Sequence, residues 1–148
     1  EMCIRDRLLP IGSWEVLQNG NDVAILAVGP LTYLALEAAE ELKKLDISCE
    51  VVNCRFIKPM DENYLEFMLE KFSSVLTIEE GVRSGGFGEG VLSWLSSNNY
   101  KGNSSIISLP DKFVEHGPRN LLLEKWGINK EEIVKTVTSF KSSLKTEF

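Results

Sequence analysis

The chain has 148 residues, of which 43% are apolar and 26% charged, and this length fits one domain with its own core better than two. No apolar run approaches the roughly 20 residues that a membrane helix needs, and the net charge of −6 is spread along the chain without a basic stripe. We therefore expect a water-soluble protein without nucleic-acid or membrane partners.

The sequence pattern of the first half of the chain predicts alternating strands and helices. Residues 1–8 show no hydrophobic periodicity. We interpret them as a non-native or linker remnant that precedes a single domain over residues 9–148. Residues 13–17 predict a short strand, and Asn19-Gly20 predicts a hairpin turn because both residue types tolerate positive φ. The next strand, residues 23–28, is apolar on both faces, which is typical of a central buried strand. We expect the first strand to lie antiparallel beside it.

A regular alternation follows along the rest of the chain. Apolar residues at helical spacing predict a helix from Leu31, and the strand at residues 47–53 is then reached by a parallel, right-handed crossover. Asp61 is a candidate cap for a second helix. Further strands are predicted at residues 75–78 and 106–109, and further helices after Phe87, Pro118 and Asn129. The fold class predicted is α/β: three layers, with a mostly parallel five-stranded mixed sheet, one antiparallel edge strand and helices on both faces.

The cysteines argue against a metal site and against secretion. Cys3, Cys49 and Cys54 are an odd number without a CxxC pair, and His116 is the only histidine, so a zinc site is disfavoured. The odd spacing of Cys49 and Cys54 on a predicted strand directs them to opposite faces. Free thiols of this kind indicate a reducing, cytoplasmic compartment.

The most distinctive stretch, residues 79–91, is a glycine-rich strand-to-helix turn. Such a turn brings backbone amides close to a ligand at the start of a helix, where anions are favoured. The spacing Gly86-x-Gly88-x-Gly90 fails the dinucleotide pattern, and no Gly-Lys-Ser/Thr follows. We interpret Gly81, Gly85, Gly86 and Gly88 as serving tight packing and a protein contact rather than a nucleotide.

Two acidic residues open that stretch. Glu79 and Glu80 are adjacent, so on a strand end they face opposite ways and do not form a facing acid–base pair. The favoured interpretation is one solvated carboxylate and one that caps the glycine-rich turn. Neither is assigned a catalytic role.

Three cationic or titratable residues lie in predicted loops. His116, followed by Gly117 at a predicted helix start, could act as a base, but no nucleophile motif accompanies it, so a hydrogen-bonding loop histidine is favoured. Arg55 and Lys58 follow a parallel strand at the edge where open α/β sheets bind ligands. They could hold an anion, and the favoured alternative is a solvated loop or an ion pair with a neighbouring domain.

Five motifs together resemble the C-terminal domain of the 1-deoxy-D-xylulose-5-phosphate synthase family, which has the transketolase C-terminal fold. The similarity covers about Leu9 to Val137. The motifs stand in the family's order: Ile11-Gly12-x-Trp14-Glu15-Val16-Leu17, Asp22 to Gly29, Arg55-Phe56-Ile57-Lys58-Pro59-Met60-Asp61, Glu79-Glu80-Gly81 with Gly85-Gly86-Phe87-Gly88, and Leu109-Pro110-Asp111-x-Phe113-x-x-His116-Gly117.

The resemblance implies a thiamine-diphosphate enzyme that condenses pyruvate with glyceraldehyde 3-phosphate and releases CO2, supplying precursors of isoprenoids, thiamine and pyridoxal cofactors. In that family the N-terminal domain holds the diphosphate and Mg²⁺, and a middle-domain glutamate activates the thiazolium ring. No catalytic, cofactor-binding or metal residue carries over to this chain, which is expected to be inactive alone. Its implied partners are the middle and N-terminal domains of the same homodimeric enzyme.

Two other classes of function stay open at this point. The chain could be a free-standing protein-interaction module, because related C-terminal domains of 2-oxoacid dehydrogenases help to dock a partner. A small nucleotide-binding enzyme is the weaker alternative, since the glycine spacing does not match a nucleotide site.

Overall fold

A computed structural model describes residues 11–82, 85–109, 118–125 and 127–145. Within them the chain forms five strands and five helices. In chain order these are β1 (Glu15–Gln18), β2 (Val23–Ala27), α1 (Leu31–Lys43), β3 (Cys49–Asn53), α2 (Glu62–Lys71), β4 (Ser74–Val82), α3 (Phe87–Ser97), β5 (Asn103–Leu109), α4 (Arg119–Lys125) and α5 (Lys130–Lys145). Residues 1–8, predicted to be a remnant, lie outside the described residues.

The strands form one sheet in the order β1-β3-β2-β4-β5. The β3-β2, β2-β4 and β4-β5 pairs are parallel, and only β1 is antiparallel to its neighbour. This arrangement confirms the predicted fold class, a mixed and mostly parallel five-stranded sheet with one antiparallel edge strand.

The neighbour predicted for β1 is wrong. β1 pairs with β3, with Glu15 opposite Asn53, whereas both edges of β2 are occupied by β3 and β4. The predicted Asn19-Gly20 hairpin therefore does not form. Gly20 instead passes against the start of β3, where an added Cβ would lie 2.2 Å from the carbonyl carbon of Cys49, so the glycine is needed for close backbone approach rather than for a turn.

Helices cover both faces of the sheet. On one face, buried residues of α1 and α5 pack on β2, β3 and β4 around Ile25, Val51 and Leu76. On the other face, buried residues of α2 and α3 pack on the same strands around Leu26 and Val75. Each layer buries an apolar helix stripe against the sheet, which is how an α/β domain obtains its core.

The helix caps follow the sequence signals. The Oδ1 of Asp61 accepts the backbone N–H of Tyr64 over 3.0 Å at the start of α2, and the Oδ1 of Asn129 accepts the N–H of Glu132 over 2.8 Å at the start of α5. The first contact confirms the N-cap predicted at Asp61, and the second shows that Asn129 is the N-cap of α5. Among the described helices, none is long and apolar enough to cross a membrane.

Candidate functional site

The glycine-rich turn joins β4 to α3 at the carboxyl edge of the sheet. β4 extends to Val82, beyond the predicted end at residue 78, so Glu79 lies within the strand. Its side chain is only 4% exposed and faces the first turn of α3. The backbone N–H of Phe87 donates to Glu79 Oε2 over 2.8 Å, and that of Gly88 donates to Oε1 over 2.9 Å.

This double contact decides what the turn can bind. The first amides of a helix attract anions, and here both oxygens of an internal carboxylate take that position. The prediction that one of the two adjacent carboxylates caps the turn is confirmed for Glu79. Glu80 is half-buried rather than fully solvated. A diphosphate does not fit at these amides, because Glu79 already accepts from them.

The glycines of the turn differ in their roles. An added Cβ at Gly88 would lie 2.5 Å from Thr77 Oγ1 and 2.9 Å from Ile106 Cγ2, so the absence of a side chain lets α3 approach the sheet closely. Gly85 has a φ of +71°, a conformation that favours glycine. The structure thus confirms tight packing for Gly88. The predicted contact of this turn with other protein surface stays a prediction.

A cavity of about 370 Å³ lies beside the turn; we call it the carboxyl-edge cavity. Its walls come from the loop after β3, from the glycine turn and from α3. Its lining residues are Ile57, Lys58, Pro59, Met60, Glu79, Gly85, Gly86, Phe87 and Gly90. The carboxyl edge of a parallel sheet is where open α/β folds bind their ligands, which makes this cavity the candidate site.

The cationic residues predicted at this edge have separate environments. The Nη2 of Arg55 donates to Ser13 Oγ over 3.0 Å and its Nε to the Ser13 carbonyl over 3.3 Å, so Arg55 holds the segment before β1. Lys58 is exposed and, within the described part of the chain, forms no ion pair. His116 and Gly117 lie outside the described residues. The predicted interface roles of Arg55 and Lys58 stay predictions.

A second polar cluster was not found by sequence reasoning. Glu50 in β3 is 1% exposed and accepts from Tyr64 Oη over 2.7 Å and from Lys71 Nζ over 3.3 Å. The N–H of Gly20 donates to it over 3.3 Å. Burial, followed by the hydrogen bond to Glu50, raises the pKa of Tyr64. A charged residue within a buried strand was the available signal, because such a charge requires partners.

The described cysteines behave as buried thiols. Cys49 packs in the α1 and α5 layer and Cys54 in the α2 and α3 layer, which confirms that they face opposite sides of the sheet, and both are free. Burial, with a smaller contribution from Asp22, raises the pKa of Cys49 to about 12. Within the described residues, no group of three or more His, Cys, Asp or Glu side chains is placed to hold a metal ion.

Comparison with known proteins identifies the family to which this chain belongs. The family model for the C-terminal domain of transketolase matches residues 12–133, and the chain therefore belongs to this family. Over 131 residues the chain is 47% identical to 1-deoxy-D-xylulose-5-phosphate synthases of Bacillus cereus (strain AH187) and of Bacillus anthracis (strain A0248). The match covers 86% of this chain and 20% of each relative, so the chain spans about a fifth of their length.

A solved structure agrees with this assignment. It is described as a split gene transketolase, an inactive beta4 tetramer, and it superposes with a TM-score of 0.82 at 33% identity. The superposition covers 90% of this chain and 44% of that one. The resemblance inferred from the sequence motifs is thus confirmed.

Proposed function

We propose that this chain is the C-terminal domain of a 1-deoxy-D-xylulose-5-phosphate synthase. The observation that carries the proposal is the 47% identity over 131 residues to relatives of that name. In the full-length enzyme, pyruvate and glyceraldehyde 3-phosphate are condensed with release of CO2, a step toward isoprenoid precursors. The enzyme is a transferase, and we place it in the cytoplasm.

The domain itself has a structural role in this proposal. Thiamine diphosphate and Mg²⁺ supply the carbanion chemistry when bound, and they are held by other domains of the full-length enzyme. Two features of this chain support that division. The amides at the start of α3 already donate to Glu79, and the described residues contain no cluster suited to a metal ion.

The partners of the domain are, in this proposal, the middle and N-terminal domains of the same enzyme, within a homodimer. The residues expected at such contacts are those of the carboxyl edge. They comprise Arg55, Lys58, Glu80, Gly81, Gly85 and Gly86, with His116 and Gly117 from outside the described residues. Exposed Ile57 and Lys58 beside an apolar cavity support a contact of this kind.

A chimeric enzyme tests the proposal. The matching 131 residues of the Bacillus cereus synthase are replaced by the corresponding part of this chain, and product formation from pyruvate and glyceraldehyde 3-phosphate is measured with thiamine diphosphate and Mg²⁺. We expect activity from the chimera, none from the same enzyme truncated before this domain and none from the isolated chain. Turnover by the isolated chain, or an inactive chimera that is folded and dimeric, contradicts the proposal.

A further inference from the structure

Gly90 lies in α3, and no contact among the described residues requires a glycine there. It occupies a helical position, where its N–H donates to the Gly86 carbonyl over 3.1 Å. A Cβ added at Gly90 would meet no described atom within 4 Å, whereas one at Gly88 would collide with Thr77. Glycine inside a helix lowers the folding equilibrium constant about fivefold relative to alanine. Within the described residues, no contact that depends on glycine at this position compensates for the lost stability.

The open space at Gly90 belongs to the carboxyl-edge cavity. Ile57, which is 44% exposed, half-buried Met60 and buried Phe87 line the same cavity. The wall is therefore mainly apolar. A side chain at position 90 would project into this space, so the glycine keeps the cavity open.

The polar groups at the cavity limit what can occupy it. The Glu79 carboxylate already accepts from two backbone amides, so it offers little to an incoming polar ligand. Lys58 is exposed and stands at the rim without an ion pair among the described residues. Small-molecule sites combine apolar walls with several convergent polar groups, which the described lining lacks. An apolar side chain of a partner fits the apolar walls, and a carboxylate next to that side chain fits Lys58 at the rim.

The source of that side chain follows from the length of the relatives. This chain spans 20% of the synthases that it matches, so four fifths of such a polypeptide lie outside it. We propose that the carboxyl-edge cavity receives an apolar side chain from that remaining part of the synthase, with a neighbouring carboxylate paired to Lys58. The inference rests on the proposed function and adds the docking point: Gly90 is the position left without a side chain so that the partner can enter.

The first arm of the test uses this chain alone. Gly90→Ala and Gly90→Leu both add a helix-favouring side chain in open space, so we expect the urea midpoint of unfolding to rise, with a folding equilibrium constant about fivefold higher for alanine. Gly88→Ala is the matched control and shifts the midpoint down. Sedimentation velocity of the wild-type and Gly90→Leu chains then shows whether a second copy occupies the cavity. A dimer that Gly90→Leu dissociates overturns the proposal.

The second arm places the same variants in the synthase chimera. Pulse proteolysis in urea, with a tag at the carboxyl terminus, reports the unfolding midpoint of this domain within the full-length protein. We expect docking to raise the midpoint of the wild-type domain above that of the isolated chain. Gly90→Leu then lowers it, because overpacking of a filled contact costs more than the helix gains. Ser96→Leu, an exposed position on α3 outside the cavity, leaves the midpoint in place.

The sign of the Gly90→Leu effect separates the outcomes. A midpoint that rises in the isolated chain and falls in the chimera supports the proposal. A rise in both proteins overturns it, and product formation by the wild-type chimera shows in that case that the proposed function still stands. A wild-type chimera that makes no product, and whose domain is no more stable than the isolated chain, overturns both.

Discussion

The buried Glu79 carboxylate is the contact whose removal should weaken this domain most clearly. Glu79→Gln preserves the shape of the side chain but replaces one acceptor oxygen with an amide group that cannot accept. One of the N–H groups of Phe87 and Gly88, which donate over 2.8 and 2.9 Å, then loses its partner. An unsatisfied buried donor costs about 1–3 kcal/mol, and the remaining bond loses its charge assistance.

Together these changes predict a loss of about 3 kcal/mol from the free energy of unfolding. For a chain of 148 residues this corresponds to a decrease in Tm of about 6–12 °C. Urea denaturation followed by circular dichroism measures the free energy, and a thermal scan measures Tm. The loss is a large share of the 5–15 kcal/mol typical of a domain, so it should be resolved easily.

Glu89→Gln is the matched control in the same turn. The Oε1 of Glu89 accepts the N–H of Gly85 over 3.2 Å, but in an exposed position, and water replaces that bond when it is lost. The expected change is therefore within about 0.5 kcal/mol. Equal losses for Glu79→Gln and Glu89→Gln, or no loss for either, would refute the conclusion that burial of Glu79 makes its contacts with α3 strong.

Three further predictions concern buried groups. Gly88→Ala introduces a Cβ 2.5 Å from Thr77 Oγ1 and should cost about 1–3 kcal/mol by urea denaturation; an unchanged midpoint would show that α3 shifts freely. Thr77→Val removes a buried hydroxyl that has no hydrogen-bond partner among the described residues, so calorimetry should show a gain of about 1 kcal/mol, and a loss would mean that the hydroxyl is satisfied. Burial raises the pKa of Cys49 from 9.0 to about 12, so the folded state binds the thiol proton more tightly than the unfolded state. The stability from this group is complete below pH 9 and is lost as the pH rises toward about 12; Cys49→Ala should flatten this part of the stability profile, and an identical profile for both proteins would contradict the assignment.

The order of the strands shows where sequence patterns stop being informative. The apolar run at residues 23–28 correctly identified β2 as a central buried strand, because covered parallel strands are apolar on both faces. The pattern does not state which strands are neighbours. Gly20 was interpreted as a turn residue, although its actual requirement, close approach to the backbone at Cys49, depends on a strand some 30 positions later.

The candidate site was partly predictable for a similar reason. The alternation of a strand predicts that Glu79 and Glu80 point to opposite faces, and the structure places Glu79 inside. Which of the two is buried depends on the register of β4 against β2 and β5, which no local pattern contains. Glu50 was missed because its partners, Tyr64 and Lys71, are 14 and 21 residues away.

The position of β1 has a consequence for the order in which the domain folds. β1 precedes β2 along the chain, but among the described strands it pairs with β3 alone. It therefore has no strand to pair with until β3 has docked beside β2. The residue just before β1 is also held by a contact of long sequence separation, because the indole N–H of Trp14 donates to the Phe56 carbonyl over 2.9 Å. Such contacts require closure of a long loop and form late. We expect the β1 amides to exchange with solvent deuterium faster than those of central β2, through a partial opening that leaves the rest of the sheet intact.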